Sequence, residues 1–349
     1  MTSSDTLVKI KNQLDEHHVT SDDIKEAISQ IPKKKVLLLG DFILDLYTDC
    51  TALGKTSKTP TLSVKKGDTE YFWGGSGLFA TNLLGLGAKV KYITICGEDW
   101  GKDYINKTCD ANLELYLFVD ENRPTTLKER FWVDGYKLLQ VDTVENEYIS
   151  YEIRKKVQKK ISDLIDNSGF VLLSDPRHGM MAPELISFIK AICKEKKKPL
   201  IVDTQVSSRS GNLEEYIGVD FVSVNETEAR YFLRDERSEI EVILEKLKEN
   251  IQVERLIMKL GMKGLIGYDN NRFFEFPAIP VNAIDPIGSG DAFLSAAALT
   301  LNPEVKMMAS IFIATCAASL STTKMGTVPN KSEELKSFID GILKQLLEV

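Results

Sequence analysis

Residues able to do chemistry cluster most densely in Asp285-Pro286-Ile287-Gly288-Ser289-Gly290-Asp291, followed at once by Ala292-Phe293-Leu294-Ser295-Ala296-Ala297-Ala298-Leu299. The second part is a strong helix former, and the first is a small-residue turn feeding its N-terminus. Unpaired N–H groups and the positive end of the helix dipole make such a junction an anion site. Glycines at 288 and 290 let a phosphate reach the backbone where a Cβ would obstruct it. Asp291, in the first turn, could take a proton from a hydroxyl attacking that phosphate. Read alone, the same run is also an ordinary helix start with a dipole-matching acid.

Other runs are weaker. Asn225-Glu226-Thr227-Glu228 closes a strand-like run and opens a helical one. Its oxygens suit Mg²⁺ held mostly through water, and equally a capping box with Asn225 at the N-cap and Glu228 three residues on. Gly74-Gly75-Ser76-Gly77 opens another helix, either for a ligand close to the backbone or for tight helix–sheet packing. Asp41 and Asp45 follow the first strand, and Asp45 could bond sugar hydroxyls or equally be a purely structural loop carboxylate. Gly54-Lys55-Thr56 ends like a P-loop, but Asp49 stands where the first glycine belongs and no strong helix follows.

These residues need elements to hold them. Residues 1–34 read as an amphipathic helical appendage, and the apolar run Val36–Leu39 ends at Gly40-Asp41 as a buried strand ends at a functional turn. Strand-like runs at Glu114–Val119, Phe170–Ser174, Pro199–Asp203, Asp220–Val224 and Arg255–Lys259 alternate with helical Tyr151–Asp166, Glu184–Lys194, Thr227–Leu233 and Glu239–Glu249. That alternation predicts an α/β fold with a mostly parallel sheet between helices and a ligand site at the strands' carboxyl ends. Thr61–Trp73 and Thr125–Val141, with turn signals at Lys66-Gly67-Asp68 and Asp134-Gly135, read as two hairpins pairing into a small β lid. One domain over 35–349 with lid segments near 46–73 and 120–142 is expected.

Composition narrows the function. The 349 residues carry 44 basic and 51 acidic side chains, a net charge of −7, which argues against a general nucleic-acid binder. Five cysteines, Cys50, Cys96, Cys109, Cys193 and Cys316, form no CxxC pair and fit reduced cytoplasmic thiols. Three histidines, His17, His18 and His178, leave little for a His-rich metal site. The apolar runs Ala292–Leu301 and Ala309–Leu320, interrupted at Asn302-Pro303-Glu304-Val305-Lys306, are each too short to span a membrane.

Together, the Gly74-Gly75 turn, Asn225-x-x-Glu228, Leu260-Gly261 with Gly264, and the Asp285-to-Asp291 signature resemble, in order and spacing, the PfkB/ribokinase family of carbohydrate kinases over roughly residues 35–345. Within it, Gly40-Asp41-Phe42-Ile43-Leu44-Asp45, Arg123-Pro124-Thr125-Thr126-Leu127-Lys128-Glu129-Arg130, Leu138-Leu139-Gln140-Val141-Asp142 and Lys324-Met325-Gly326-Thr327 are similar to the kinase half of the bifunctional ADP-heptose synthesis enzymes, which phosphorylates heptose 7-phosphate.

The resemblance implies a ribokinase-like fold, ATP and Mg²⁺, with a monovalent cation left open, and a homodimer formed through the lid. It implies Asp291 as general base and the amides of Gly288, Ser289 and Gly290 as the anion hole. Asn225 and Glu228 would organise Mg²⁺ and phosphates, and Asp45, Gly74 and Gly75 would contact the sugar. Lys259, Gly261, Gly264 and Asp285 fall on the nucleotide side, with Cys316 to Ser319 near its far wall. Arg123, Lys128, Arg130 and Arg177 are candidates for a second anionic group on the acceptor. The chain departs from the pattern at Leu78, where relatives carry an asparagine that Asn82 would have to replace, and at Pro286. It departs again at Ser174–Gly179, and at Asp203-Thr204-Gln205 with Ser207–Ser210. A nucleoside or simple-sugar kinase, and a non-catalytic sugar- or nucleotide-binding regulator on a kinase scaffold, are the alternatives.

Overall fold

The apolar run after Lys34 forms the buried strand its pattern calls for. The computed structural model describes residues 3–205, 213–269, 272–301 and 305–349; Ser207–Ser210 and the Asn302-Pro303-Glu304 break lie outside them. Helices α1 (Ser3–Glu16) and α2 (Ser21–Ser29) precede β1 (Lys35–Gly40), β2 (Phe42–Lys55), β3 (Leu62–Gly75), α3 (Ser76–Gly85), β4 (Lys89–Cys96), α4 (Trp100–Thr108) and β5 (Glu114–Val119). Then come β6 (Leu127–Val133), β7 (Tyr136–Thr143), α5 (Tyr151–Leu164), β8 (Phe170–Asp175), α6 (Pro183–Lys196), β9 (Leu200–Thr204), β10 (Phe221–Asn225), α7 (Glu226–Leu233) and α8 (Ile240–Ile251). The chain closes with β11 (Arg255–Lys259), β12 (Leu265–Asp269), β13 (Arg272–Phe276), α9 (Ser289–Thr300), α10 (Met307–Thr322) and α11 (Ser332–Leu346).

The larger sheet has the order β13-β12-β11-β10-β9-β8-β1-β4-β5, parallel from β11 through β5 and antiparallel at β12 and β13. Alternate residues of β1 feed opposite faces: Val36 and Leu38 join one apolar cluster, Leu37 and Leu39 the other. Such two-sided burial needs helices on both faces, which the alternating chain supplies. The strand order reverses where β1 lies between β8 and β4, so Gly40 and Asp41 open at a topological switch point, where crevices form.

The second sheet has four strands, β3-β2-β6-β7. Asp134 and Gly135 turn β6 into β7 with φ of 50° and 81°, the double left-handed geometry of a tight hairpin. The other hairpin differs from expectation. Lys66-Gly67-Asp68 is no turn but lies inside β3, where the β2–β3 register shifts between Thr48/Cys50. A Cβ on Gly67 would stand 3.1 Å from the Asp49 carbonyl oxygen, so glycine here permits a bulge rather than a reversal.

Residues 3–34 are less separate than an appendage. Leu7, Ile10, Leu14, Ile24, Ile28 and Ile31 are buried in the same cluster as α10 and α11 residues. Among the described residues no helix is long and apolar enough to cross a membrane.

Candidate active site

The carboxyl ends of β9, β10 and β11 and the N-terminus of α9 border a cleft of about 900 Å³. Gly288 caps α9 with a φ of +80°, a left-handed turn that glycine alone adopts without cost, and the first N–H groups of a helix have no acceptor within it. Ser289 differs from the expected anion hole in part, because both its N–H and its hydroxyl donate back to the Pro286 carbonyl, at 3.3 and 2.9 Å. Among the described residues the amides of Gly288 and Gly290 meet no protein acceptor. Leu78, the departure noted above, packs on this turn: its Cδ2 would stand 2.8 Å from a Cβ on Gly288.

Asp291 follows in the first turn. Desolvation foremost, then the negative charges of Asp203 and Asp45, hold its carboxyl well above the usual range, while Lys259 opposes them. A carboxyl so raised binds a proton more tightly than an ordinary carboxylate, so that once ionised it is a stronger general base. Lys259 ends β11 beside Asn225 of β10, with its Nζ 3.4 Å from Asp203 Oδ1. Its burial alone would lower its proton affinity, but Asp203, Glu228 and Asp291 together raise it. The same Nζ lies 3.1 Å from where a Gly290 Cβ would be, so the ammonium stands directly against the helix start. Asp203, noted in the sequence only as a departure from the family pattern, lies near the end of β9 in register with Ser223, and the structure adds its contact with Lys259.

Asn225 and Glu228 do form the capping box: Asn225 N–H donates to Glu228 Oε2 at 2.7 Å and Glu228 N–H to Asn225 Oδ1 at 2.8 Å. Burial pushes the Glu228 carboxyl up to about 7, against the pull of Lys259. Among the described residues no three acid, His or Cys side chains converge as a metal cage. The oxygens of Asn225, Glu228, Asp203 and Asp291 along one cleft, countered there by Lys259, nevertheless fit a hard cation held through water.

Gly261 and Gly264, expected on the nucleotide side, turn with φ of +59° and +97°, and a Cβ on Gly264 would sit 2.1 Å from the Phe276 carbonyl oxygen. Both line the cleft with the apolar Ile279, Val281 and Phe293, and with Ala318 and Ser319. Cys316, expected on that wall, is instead fully buried behind it. Asp285 also differs from expectation. It is buried outside the cleft lining and accepts Tyr47 O–H, Ile287 N–H and Gly326 N–H at 3.3, 3.0 and 3.2 Å, so its oxygens serve the loop.

On the lid side, Asp45 is 4 % exposed and accepts Arg130 Nη1 at 2.6 Å. Burial raises its carboxyl, opposed by Arg130 and Lys128. Gly74 makes room for it, since a Cβ there would lie 2.2 Å from Asp45 Oδ2; Gly75, at φ +54°, packs on the Asp41 carbonyl. Lys128 pairs with Asp45 in the β2–β6 register, and among the described residues its ammonium has no hydrogen-bond or ion-pair partner. Burial lowers its proton affinity, while Asp45, Asp142 and Asp291 restore part of it.

Two expected substrate residues are committed elsewhere. Arg123 donates from Nε to Asp120 at 2.9 Å, from Nη1 to the His178 carbonyl at 3.0 Å and from Nη2 to the Glu147 carbonyl at 2.9 Å, which makes it an internal clamp. Asn82 is buried, and its Oδ1 accepts the Asn330 N–H at 3.1 Å. Sequence spacing shows which helix face a residue occupies, not which partner reaches it first.

Residues 33–334 match the model of the pfkB family of carbohydrate kinases. The bifunctional protein HldE of Campylobacter jejuni is 27% identical over 316 residues, covering 90% of this chain and 66% of that protein. HldE of Bradyrhizobium diazoefficiens is 28% identical over 89% of this chain and 64% of its own length. The chain thus spans about two thirds of the curated relatives it matches. Among solved structures, phosphofructokinase-2 from Escherichia coli in complex with substrates and products superposes with a TM-score of 0.73 at 17% identity, over 89% of this chain and 99% of that one. Arabidopsis thaliana ribokinase with ribose and ATP gives 0.70 at 19% identity, over 88% and 98%. These likenesses establish a ribokinase-like fold.

Proposed function

The chain belongs to the pfkB family of carbohydrate kinases, and from that premise we propose that it transfers the γ-phosphoryl group of ATP to a hydroxyl of a sugar phosphate of the heptose 7-phosphate type. The observation that carries the transfer is the junction at α9: a desolvated Asp291 carboxyl beside the amides of Gly288 and Gly290, which meet no acceptor among the described residues, with Lys259 against the helix start. Asp291 takes the proton of the acceptor hydroxyl as that oxygen attacks the γ-phosphorus. The two amides and Lys259 meet the charge that develops on the transferring group. Asn225 and Glu228 would hold Mg²⁺ through water, which would screen the phosphate charge. Gly261, Gly264 and the apolar wall take the base and ribose of the nucleotide. Asp45, in the space Gly74 leaves, takes acceptor hydroxyls, and the lid excludes water.

The sugar phosphate, rather than a neutral sugar, is supported by the ammonium of Lys128 beside Asp45, which has no hydrogen-bond or ion-pair partner among the described residues. The HldE relatives support the heptose type. A simple-sugar or nucleoside kinase is the second reading, favoured by the commitment of Arg123 and Arg130 inside the protein. A coupled ATP-to-ADP assay with Mg²⁺ against heptose 7-phosphate, fructose 6-phosphate, their unphosphorylated sugars, ribose and adenosine separates the two. Turnover confined to phosphosugars is expected; turnover on neutral acceptors alone refutes the first reading, and ADP release with no acceptor dependence refutes both.

The cytoplasm is the proposed location, supported by five free cysteines. A homodimer through the lid is supported by the outer strand β7, whose Tyr136, Leu138, Leu139 and Val141 are all exposed. A monomeric mass in solution by light scattering would overturn that part.

A further inference from the structure

The lid and the turn before α9 meet at a buried hydrogen bond. Tyr47, in the inner half of β2, donates its hydroxyl to Asp285 Oδ2 at 3.3 Å, and the two residues are 5% and 1% exposed. Asp285 passes the contact on in two directions, to the Ile287 N–H inside the turn that ends at Gly288 and to the Gly326 N–H of the neighbouring loop. On its other side the Tyr47 ring stacks on Trp132 at 6.3 Å and meets Phe72 edge-on at 5.3 Å. The Arg130 guanidinium lies 5.3 Å from the ring centroid and holds Asp45. Phe72 also occupies the space beside Gly326, 2.7 Å from where its Cβ would be. Asp45 at the acceptor side and Gly288 at the anion hole are therefore joined through Arg130, Tyr47 and Asp285, each held in place by packing on several sides.

We propose that Tyr47 and Asp285 are positioning residues that couple the acceptor site to the anion hole: the lid, seated over an acceptor, sets the turn that presents the Gly288 and Gly290 amides. What the two sites bind rests on the kinase reading above; the coupling itself rests on the contacts. Removing the Tyr47 hydroxyl keeps the ring and its aromatic neighbours but takes one donor from a buried carboxylate, freeing the turn from the lid. A role in packing alone would not notice the loss.

The test is Tyr47→Phe, with Asp285→Asn as the second variant, each checked for an unchanged fold by thermal unfolding. Amide hydrogen exchange is measured with and without the Mg²⁺ complex of a non-hydrolysable ATP analogue. In the wild type the analogue should slow exchange at residues 284–290 and, through the tie, at residues 42–50. Both variants should keep the first effect and lose the second, because coupling between sites is reciprocal. Equal slowing of residues 42–50 in all three proteins overturns the proposal, as does its absence in the wild type. With an acceptor that turns over, Tyr47→Phe should lower kcat between about 10- and 100-fold, with KM for ATP little changed and less than one phosphorylated acceptor formed per ADP. The double variant should be no worse than Asp285→Asn alone; additive losses would mean the two residues act separately. A wild type silent with every acceptor would overturn the kinase reading, while the exchange experiment would still decide the coupling.

Discussion

Replacing Gly290 by alanine should leave the protein as stable as before, or slightly more so, and nearly inactive. Gly290 is the second residue of α9 and is not among the glycines with positive φ, so alanine fits its backbone. Helix propensity favours alanine by about 0.5–1 kcal/mol, less in a first turn. The new Cβ would lie 3.1 Å from Lys259 Nζ, the far end of a flexible side chain that can yield a few tenths of an ångström. The net change in stability is thus within about 1 kcal/mol, or roughly 2 °C in Tm for a chain of this size.

The same Cβ is tilted toward the N-terminus of its helix, as in every α-helix, and so into the space where the transferring phosphoryl group is expected. Displacing the group from one donor costs about 10²–10³ in kcat. Gly288→Ala is the control of opposite sign in stability. At φ +80°, and with Leu78 Cδ2 only 2.8 Å from the new Cβ, it should cost about 1–2 kcal/mol as well as activity. Acceptor-dependent ADP release at saturating substrate, paired with thermal unfolding, reads both quantities. A Gly290→Ala protein with kcat within about threefold of wild type would place phosphoryl transfer elsewhere. A Tm drop of many degrees would refute the claim that only Lys259 crowds the site.

Other outcomes follow from the same geometry. Asp291→Asn should lower kcat by about 10²–10⁴ while calorimetry shows Mg-ATP binding largely intact; near-normal turnover would refute its role as base. Lys128→Met should raise KM for a phosphosugar acceptor about tenfold or more and leave a neutral sugar unaffected, whereas equal effects on both would remove the second anion site. Asp41 is buried and its carboxyl is pushed up to about 7, first by desolvation and then by Asp175. The folded state therefore binds this proton more tightly than the unfolded chain, and stability should fall as pH rises from about 4 to about 7, by up to about 4 kcal/mol, then level off. Denaturant unfolding at pH 5 and pH 8 should show a smaller loss in Asp175→Asn, and an identical loss would refute the pairing.

Local pattern made a large part of this protein legible. The strands at Glu114–Val119 and Arg255–Lys259 have the bounds their apolar runs predicted. Backbone preference and two-sided burial are written into a few consecutive residues, and so is a helix N-terminus with its glycines. The Asn225–Glu228 capping box and the Gly288–Asp291 junction were read for the same reason. The bulge at Gly67 was not, because glycine in a strand and glycine in a turn look alike until the partner strand fixes the register.

Partnership across the chain is a different matter. Arg123 and Asn82 were expected at the acceptor from type and spacing, but residues 24 and 248 positions away, Glu147 and Asn330, reach them first. Asp285 was expected to face the nucleotide and is instead held by Tyr47, 238 positions distant. Asp203 entered the site only when β9 came to lie beside β10 and brought its carboxylate against Lys259. The elements, the glycine turn before α9 and the family pattern are legible along the chain, since each depends on neighbours within a turn or two. Which charges meet is set by folding, because a buried charge takes whichever partner the packing brings within reach of a hydrogen bond, whatever its distance in sequence.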